Sequence, residues 1–319
     1  MEPSELEYLQ KRVDKKYLYR RLQRQVDLAA TCYTRKGLTF FHPEKYPILS
    51  TLLKYFLIII GAYNKGRVNT LKYQFEHVQG VISNLPKAFS GFRVLQLSDL
   101  HADGLIDRGA RLSALLQTIE CDLCVVTGDF RFLTSSGYNQ AMEQTEQILQ
   151  SIRASYGLWG VLGNHDFIEF VPHLERAGLG ILLNESVVIE KDGAGLCLAG
   201  IDDAHLYGCH DLKKALQGRL KSHPCILLSH TPEIYKQAEQ AGVDYLLSGH
   251  THGGQICLPG GHAFITNTLC PRNFSHGSWR FHKLRGYTSR GTGSSGLPVR
   301  FSCFPEVTLH ELCSPREEQ

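Results

Sequence analysis

Gly249-His250-Thr251-His252-Gly253-Gly254-Gln255 decides how the rest of this sequence is read. Two histidines one residue apart lie between glycines. They directly follow Val243-Asp244-Tyr245-Leu246-Leu247-Ser248, a run that reads as a buried strand. A strand that ends this way delivers two imidazoles at its carboxyl end, and the glycines let the backbone turn sharply beside a ligand. Imidazole is the commonest metal ligand among side chains. Taken alone, a His-x-His pair is equally well a polar tight turn, so the choice depends on the rest of the chain.

Four further stretches have the same form. Asp99-Leu100-His101 follows Val94-Leu95-Gln96-Leu97, and Gly128-Asp129 follows Leu123-Cys124-Val125-Val126. Gly163-Asn164-His165-Asp166 follows Leu158-Trp159-Gly160-Val161-Leu162, and Ser229-His230 follows Cys225-Ile226-Leu227-Leu228. Each is a short apolar strand that stops at Asp, Asn or His. Ligand sites in α/β sheets gather at the carboxyl ends of strands. Five such ends in one chain are hard to explain as surface polarity.

The ordered set Asp-x-His, Gly-Asp, Gly-Asn-His-Asp, His and Gly-His-x-His resembles the calcineurin-like metallophosphoesterase superfamily over residues 92–312. It is most similar to the bacterial YkuE/YaeI-like branch, near the UDP-2,3-diacylglucosamine hydrolases of the lipid A pathway. Leu85-Pro86, Gly91-Phe92-Arg93, Gly291, Gly293, Leu297-Pro298-Val299-Arg300 and Pro305-Glu306-Val307 add to the likeness. The resemblance implies two divalent metal ions, Mn²⁺ first, with Fe, Zn²⁺ or Mg²⁺ as alternatives. It assigns Asp99, His101, Asp129 and His252 to one ion, and Asp129, Asn164, His230 and His250 to the other. One carboxylate can bridge two cations because it has two oxygens, and such pairs lie about 3.5–4 Å apart. Carboxylate, imidazole and amide ligands without a thiolate suit these metals. A metal pair of this kind makes water acidic enough for in-line attack on phosphorus. The resemblance places His165 by the leaving group as acid or electrostatic partner, with Asp166 orienting it or capping a turn. Arg131 is a candidate phosphate clamp or a surface ion-pair partner. Gly254 and Gln255 shape the pocket. Asp202-Asp203-Ala204-His205 follows a strand and reads as a loop turn or as a stretch that lines the pocket. The glycine-rich run 289–296 could cradle an anion on its backbone N–H groups but lacks a P-loop lysine.

The chain has 319 residues, 43% of them hydrophobic, enough for one large core with an appendage. Its net charge of +3 is unevenly spread. Residues 1–93 carry 16 Lys and Arg against 7 Asp and Glu, whereas the remainder carries 18 against 24. A basic leader on an acidic body points to an anionic partner such as a membrane surface, or to a solvated helix face. The ten cysteines show no zinc-ribbon spacing; Cys121-x-x-Cys124 reads as buried thiols. Unpaired cysteines and a charged N-terminus favour a reducing cytosol over secretion.

The expected fold is α/β: a two-sheet β-sandwich flanked by helices, with a helical N-terminal extension. Residues 1–91 read as the basic leader, 92–314 as the catalytic domain and 315–319 as a tail. In the leader, residues 5–28 form an amphipathic helix by period. The apolar run 52–60 is too short for an ordinary span and suits an interfacial helix, or one packed on the body. These features direct the substrate expectation to a phosphorylated small molecule or membrane lipid precursor. The enzyme would be peripheral on the cytoplasmic face of the inner membrane. A nucleic-acid groove is weakly supported, since basic residues are not interleaved with aromatics. The competing readings are a phosphodiesterase for a soluble nucleotide or glycerophosphodiester, and a metal-binding scaffold without activity.

Overall fold

Successive residues of a strand face opposite sides, and here both sides are apolar. Val94, Leu123, Val125, Ile226 and Leu228 turn into one buried layer. Leu95, Leu97, Cys124 and Val126 turn into a second, and Leu227 and Leu246 into a third. Strands apolar on both faces need cover on both, so two sheets stack against each other and helices close the outer faces.

A computed structural model describes residues 2–34, 47–132, 138–263 and 265–315. The first sheet holds β1 (Gln74–Val81), β2 (Arg93–Leu97), β3 (Leu123–Val126), β4 (Leu158–Gly160) and β5 (Leu179–Ile181). The second holds β6 (Glu185–Lys191), β7 (Ala194–Gly200), β8 (Cys225–Leu228), β9 (Tyr245–Ser248), β10 (Gly277–Phe281) and β11 (Leu284–Thr288). The last strand, β12 (Glu306–Cys313), returns to the first sheet, whose order is β1-β12-β2-β3-β4-β5. The second sheet runs β10-β11-β9-β8-β7-β6. Strands β2 to β5 are parallel, as are β7, β8, β9 and β11. This is the expected two-sheet α/β sandwich.

The leader differs from its reading in two ways. The expected single helix over 5–28 is two: α1 (Pro3–Arg12) and α2 (Lys15–Thr34). Val13 is extended (φ −132°, ψ 162°), and Asp14 Oδ1 accepts from Tyr17 N at 3.1 Å. A side-chain acceptor of this kind starts a new helix where the period alone runs on. Secondly, β1 pairs in parallel with β12, so residues 74–81 add a strand to the sheet. Its exposed–buried pattern is weak because it is an edge strand. Between these, α3 (Pro47–Ile59) packs Leu53 and Leu57 on Leu297 and Val299 and leaves its other side open. Among the described residues no helix is long and apolar enough to cross a membrane. Residues 316–319 of the expected tail lie outside the described residues. Nine cysteines among the described residues are free thiols.

Candidate metal centre

Five parallel strands end at one place. Asp99 and His101 follow β2, Asp129 follows β3, and Asn164, His165 and Asp166 follow β4. His230 follows β8, and His250 and His252 follow β9. The first three strands belong to one sheet and the last two to the other, so the site lies where the two sheets' carboxyl ends meet. All these residues are buried.

The backbone there is held in an unusual form. Asp99 (φ 51°), His101 (42°), Asp129 (59°), His250 (72°) and His252 (51°) all take positive φ. For a non-glycine residue this costs about 1–3 kcal/mol, and such strain clusters at functional sites. Tight approach enforces two of the motif glycines. A Cβ on Gly163 would stand 2.2 Å from Asp129 Oδ1, and one on Gly249 would stand 1.8 Å from Ser98 Oγ and 2.3 Å from Asp99 Oδ2.

Hydrogen bonds fix which ring nitrogens face inward. His101 Nδ1 donates to Arg131 O at 2.7 Å, His230 Nδ1 to Thr127 O at 2.8 Å, and His250 Nε2 to Asn267 O at 2.9 Å. A carbonyl oxygen can only accept, so each of these nitrogens carries the hydrogen. The remaining ring nitrogens then face each other and the carboxylates. His250 Nδ1 is 3.2 Å from His230 Nε2, which is 3.3 Å from Asp129 Oδ2 and 2.9 Å from Asn164 Oδ1. His101 Nε2 lies 3.7 Å from Asp129 Oδ2 and 3.2 Å from His252 Nε2, and the latter is 3.3 Å from Asp99 Oδ1. Acceptors gathered this closely fit a cation, and carbonyl-anchored imidazoles are the usual outer support of metal ligands. Ligand atoms lie within 4.8 Å of one another in the sets Asp99–His101–His252, His101–Asp129–His165 and Asp99–Asp129–His230. Carboxylates and imidazoles without a thiolate suit a divalent metal.

The electrostatics draw positive charge inward. Burial opposes a charge on Asp129, yet His230 and His165 hold it well below the usual carboxylate range. Burial pushes Asp99 up to about 6, with His230 acting against it and the Asp129 charge adding to it. Burial, then His101 and Arg300, hold His252 well below the usual imidazole range, which keeps it in the neutral form that binds metals.

The other site residues divide between site and scaffold. Asp166 takes the capping role of its two readings. Its carboxylate accepts from the backbone N–H of Asp129 (2.7 Å), Phe130 (2.8 Å) and Gly163 (2.8 Å), so it ties the loop after β3 to the loop after β4. A short side chain just past a turn reaches backbone amides more readily than a ring beyond it. Arg131 does not present an open clamp: it is 1% exposed, and its Nε donates to His165 O at 2.7 Å. Its guanidinium lies 3.9 Å from the Phe167 ring centroid. His165 stays at the centre, with Nε2 4.0 Å from Asp129 Oδ2 and its N–H on Asp129 Oδ1 at 2.8 Å. The glycine-rich run is engaged elsewhere, for Thr292 N donates to Ser98 O and Gly293 N to Asp99 O, each at 2.7 Å. Gln255 braces it through Ser295 and Leu297.

Two further side chains stand beside this group. His205 places its ring 4.3 Å from that of His250, and its Nδ1 is 2.9 Å from Glu233 Oε2, which favours the pocket-lining reading of its loop. The same strand-end rule applies to it, since it follows β7. Arg300 is fully buried, with Nη2 3.3 Å from His252 Nδ1. Nothing local distinguishes it from a surface arginine.

Comparison with known proteins gives concordant results. The model of a family described as calcineurin-like phosphoesterase matches residues 92–254. The Bacillus subtilis (strain 168) protein described as uncharacterized metallophosphoesterase YkoQ is 31% identical over 232 residues, covering 69% of this chain and 83% of its own. YkuE of the same organism, also described as an uncharacterized metallophosphoesterase, is 29% identical, covering 73% of this chain and 82% of its own length, so the YkuE-like branch fits. A Bos taurus transmembrane protein with metallophosphoesterase domain is 29% identical over 82% of this chain. The chain spans 61% of that relative's length. The solved structure of calcineurin-like phosphoesterase YfkN from Bacillus subtilis aligns at 15% identity with TM-score 0.37, covering 63% of this chain and 81% of its own.

Proposed function

The chain belongs to the calcineurin-like phosphoesterase family, and from that premise we propose that it hydrolyses a phosphoester or pyrophosphate bond with two divalent cations. The observation that carries this reading is the convergence of one ring nitrogen each from His101, His230 and His250 beside Asp99 and Asp129. Asp99, His101, Asp129 and His252 would hold one cation. Asp129, Asn164, His230 and His250 would hold the other, with Asp129 shared through its two oxygens. The chemistry such cations supply is Lewis acidity toward water and phosphoryl oxygens. Mn²⁺ is the proposed metal.

The chain's own groups do the rest. His165 stands within the cluster, beside Asp129, and gives a proton to the leaving oxygen. Arg131 holds the His165 carbonyl, and Asp166 holds the amides on either side of the bridge.

The substrate reading rests on α3. Leu52, Tyr55, Phe56, Ile58, Ile59 and Ile60 are exposed, Ile59 at 83%, while Lys54 and Lys65 flank them in solvent. An apolar face of this kind bordered by cations suits the boundary of an anionic bilayer. The bovine relative, whose description is of a transmembrane protein, supports work at a membrane. The proposed substrate is therefore a phosphoester or pyrophosphate in a membrane lipid precursor, and UDP-2,3-diacylglucosamine of lipid A biosynthesis is the compound to test. The proposed location is peripheral, on the cytoplasmic face of the inner membrane.

The test is an assay of purified protein with Mn²⁺ on a chromogenic phosphodiester, a glycerophosphodiester and UDP-2,3-diacylglucosamine. Hydrolysis should stop on chelation. His165→Ala should lower kcat by about 10²- to 10⁴-fold while metal content stays at the wild-type level. Absence of hydrolysis with any divalent metal, together with absence of metal on elemental analysis, would leave a non-catalytic scaffold. Preference for a water-soluble diester would remove only the lipid assignment.

A further inference from the structure

Tyr17, Arg21 and Gln25 recur every four residues along α2 and so share one face of it. That face meets the catalytic body through polar groups. Arg21 is fully buried, and its guanidinium reaches three acceptors: Nε donates to Asp202 Oδ2 at 2.9 Å, Nη1 to Gln25 Oε1 at 2.8 Å, and Nη2 to Asp166 O at 2.9 Å. Its central carbon lies 3.4 Å from the Tyr207 ring centroid. Tyr17 OH donates to the same Asp202 oxygen at 2.7 Å. Gln25 Oε1 accepts from Ile168 N at 2.8 Å, and Gln25 Nε2 donates to Glu169 Oε2 at 2.9 Å.

These contacts join two loops from different sheets. Asp166, Ile168 and Glu169 follow β4 in the first sheet, whereas Asp202 and Tyr207 follow β7 in the second. The tie reaches the metal centre in one further step. Arg21 fixes the backbone of Asp166, and the Asp166 carboxylate grips the amides of Asp129 and Gly163. Packing alone does not call for a buried ion pair, because apolar side chains of similar volume serve as well. A planar guanidinium, however, can hold several acceptors in fixed directions, which an ammonium cannot.

We propose that Arg21 is a positioning residue of the metal centre, so that helix α2 is part of the catalytic apparatus and not an appended leader. Its kinetic consequence rests on the hydrolase reading above; its effect on metal affinity does not.

The test uses the full chain. Arg21→Ala alone would leave the buried Asp202 without its partner. Arg21→Met combined with Asp202→Asn removes both charges and keeps the volume. Arg21→Lys keeps the charge against Asp202 but lacks the fork that reaches Asp166, and serves if the double variant does not fold. Gln23→Ala, on the exposed side of α2, is the control. Mn²⁺ is titrated calorimetrically into metal-free protein, and kcat and KM are measured at saturating Mn²⁺ on a chromogenic phosphodiester. In the double variant Mn²⁺ affinity falls about 10-fold or more, as loss of outer support does elsewhere. Its kcat falls while KM for this small substrate holds, and the unfolding temperature of the metal-free protein stays near wild type. Arg21→Lys shows the same split, and Gln23→Ala matches wild type. Mn²⁺ affinity and kcat both within about twofold of wild type in a folded variant overturn the proposal, since loss of outer support costs about 10-fold or more. If wild type binds Mn²⁺ yet hydrolyses nothing, the hydrolase reading falls, and the affinity loss alone decides this proposal.

Discussion

At the scale of the residue, Asp166 is the clearest case of a side chain whose type is plain in the sequence and whose task is not. Its place after Asn164-His165 marks it as part of the site, but spacing cannot say whether its oxygens meet a ring or backbone amides. The structure gives it three amides. Asp166→Asn would turn an NH₂ group toward at least one of those donors. Leaving a buried donor unsatisfied costs about 1–3 kcal/mol, and urea unfolding of the variant should show a loss of that size. Metal affinity should fall with it, because the Asp129 backbone loses its anchor. A variant as stable as wild type would mean that the carboxylate is not gripping these amides in solution. The cluster of proposed ligands was legible for a simpler reason. Asp99, Asp129, Asn164, His230 and His250 each sit two or three residues past the last apolar residue of a short apolar run, where the strand must end. Arg21 and Arg300 gave no such signal, since neither follows an apolar strand at the site and the contacts that bring them there, Asp202 and His252, lie far away in sequence.

At the scale of the element, the strands leading into the site were readable because each is a short, continuous apolar run buried on both faces. Strand β1 was not, since it lies at the sheet edge and follows a basic helical stretch. The α1–α2 break escaped notice because the apolar period continues across it and only the Asp14 cap interrupts it. Helix α3 carries a prediction of its own. One side, Leu53 and Leu57, is anchored to Leu297 and Val299, so the helix presents its other side without unfolding. Wild type should float with anionic vesicles in a density gradient, and Ile58→Glu with Ile60→Glu should not. Both substituted residues are exposed, so the double variant should keep its stability in solution. A wild-type chain that stays at the bottom of the gradient, with or without anionic lipid, removes the membrane from the account and leaves the metal centre untouched.

At the scale of the whole molecule, the design is two parallel-strand layers whose carboxyl ends meet along one line, with α2 tying loops from both. Neither sheet alone would hold the proposed ligand set. The first supplies Asp99, His101, Asp129 and Asn164, and the second supplies His230, His250 and His252. A cation bound between them joins the two layers, and binding to the folded state alone stabilises it by about 2.7 kcal/mol at a hundredfold excess over Kd. Asp129 is the carboxylate both cations would share, so it tests the arrangement at its centre. The most direct measurement is metal content by elemental analysis, taken with phosphodiester turnover, for wild type and Asp129→Ala prepared together in Mn²⁺. The account predicts two ions per wild-type chain with turnover, and in Asp129→Ala a loss of bound metal with turnover abolished. A wild-type chain that carries no divalent metal, or an Asp129→Ala chain that retains both ions and turns over normally, would contradict it.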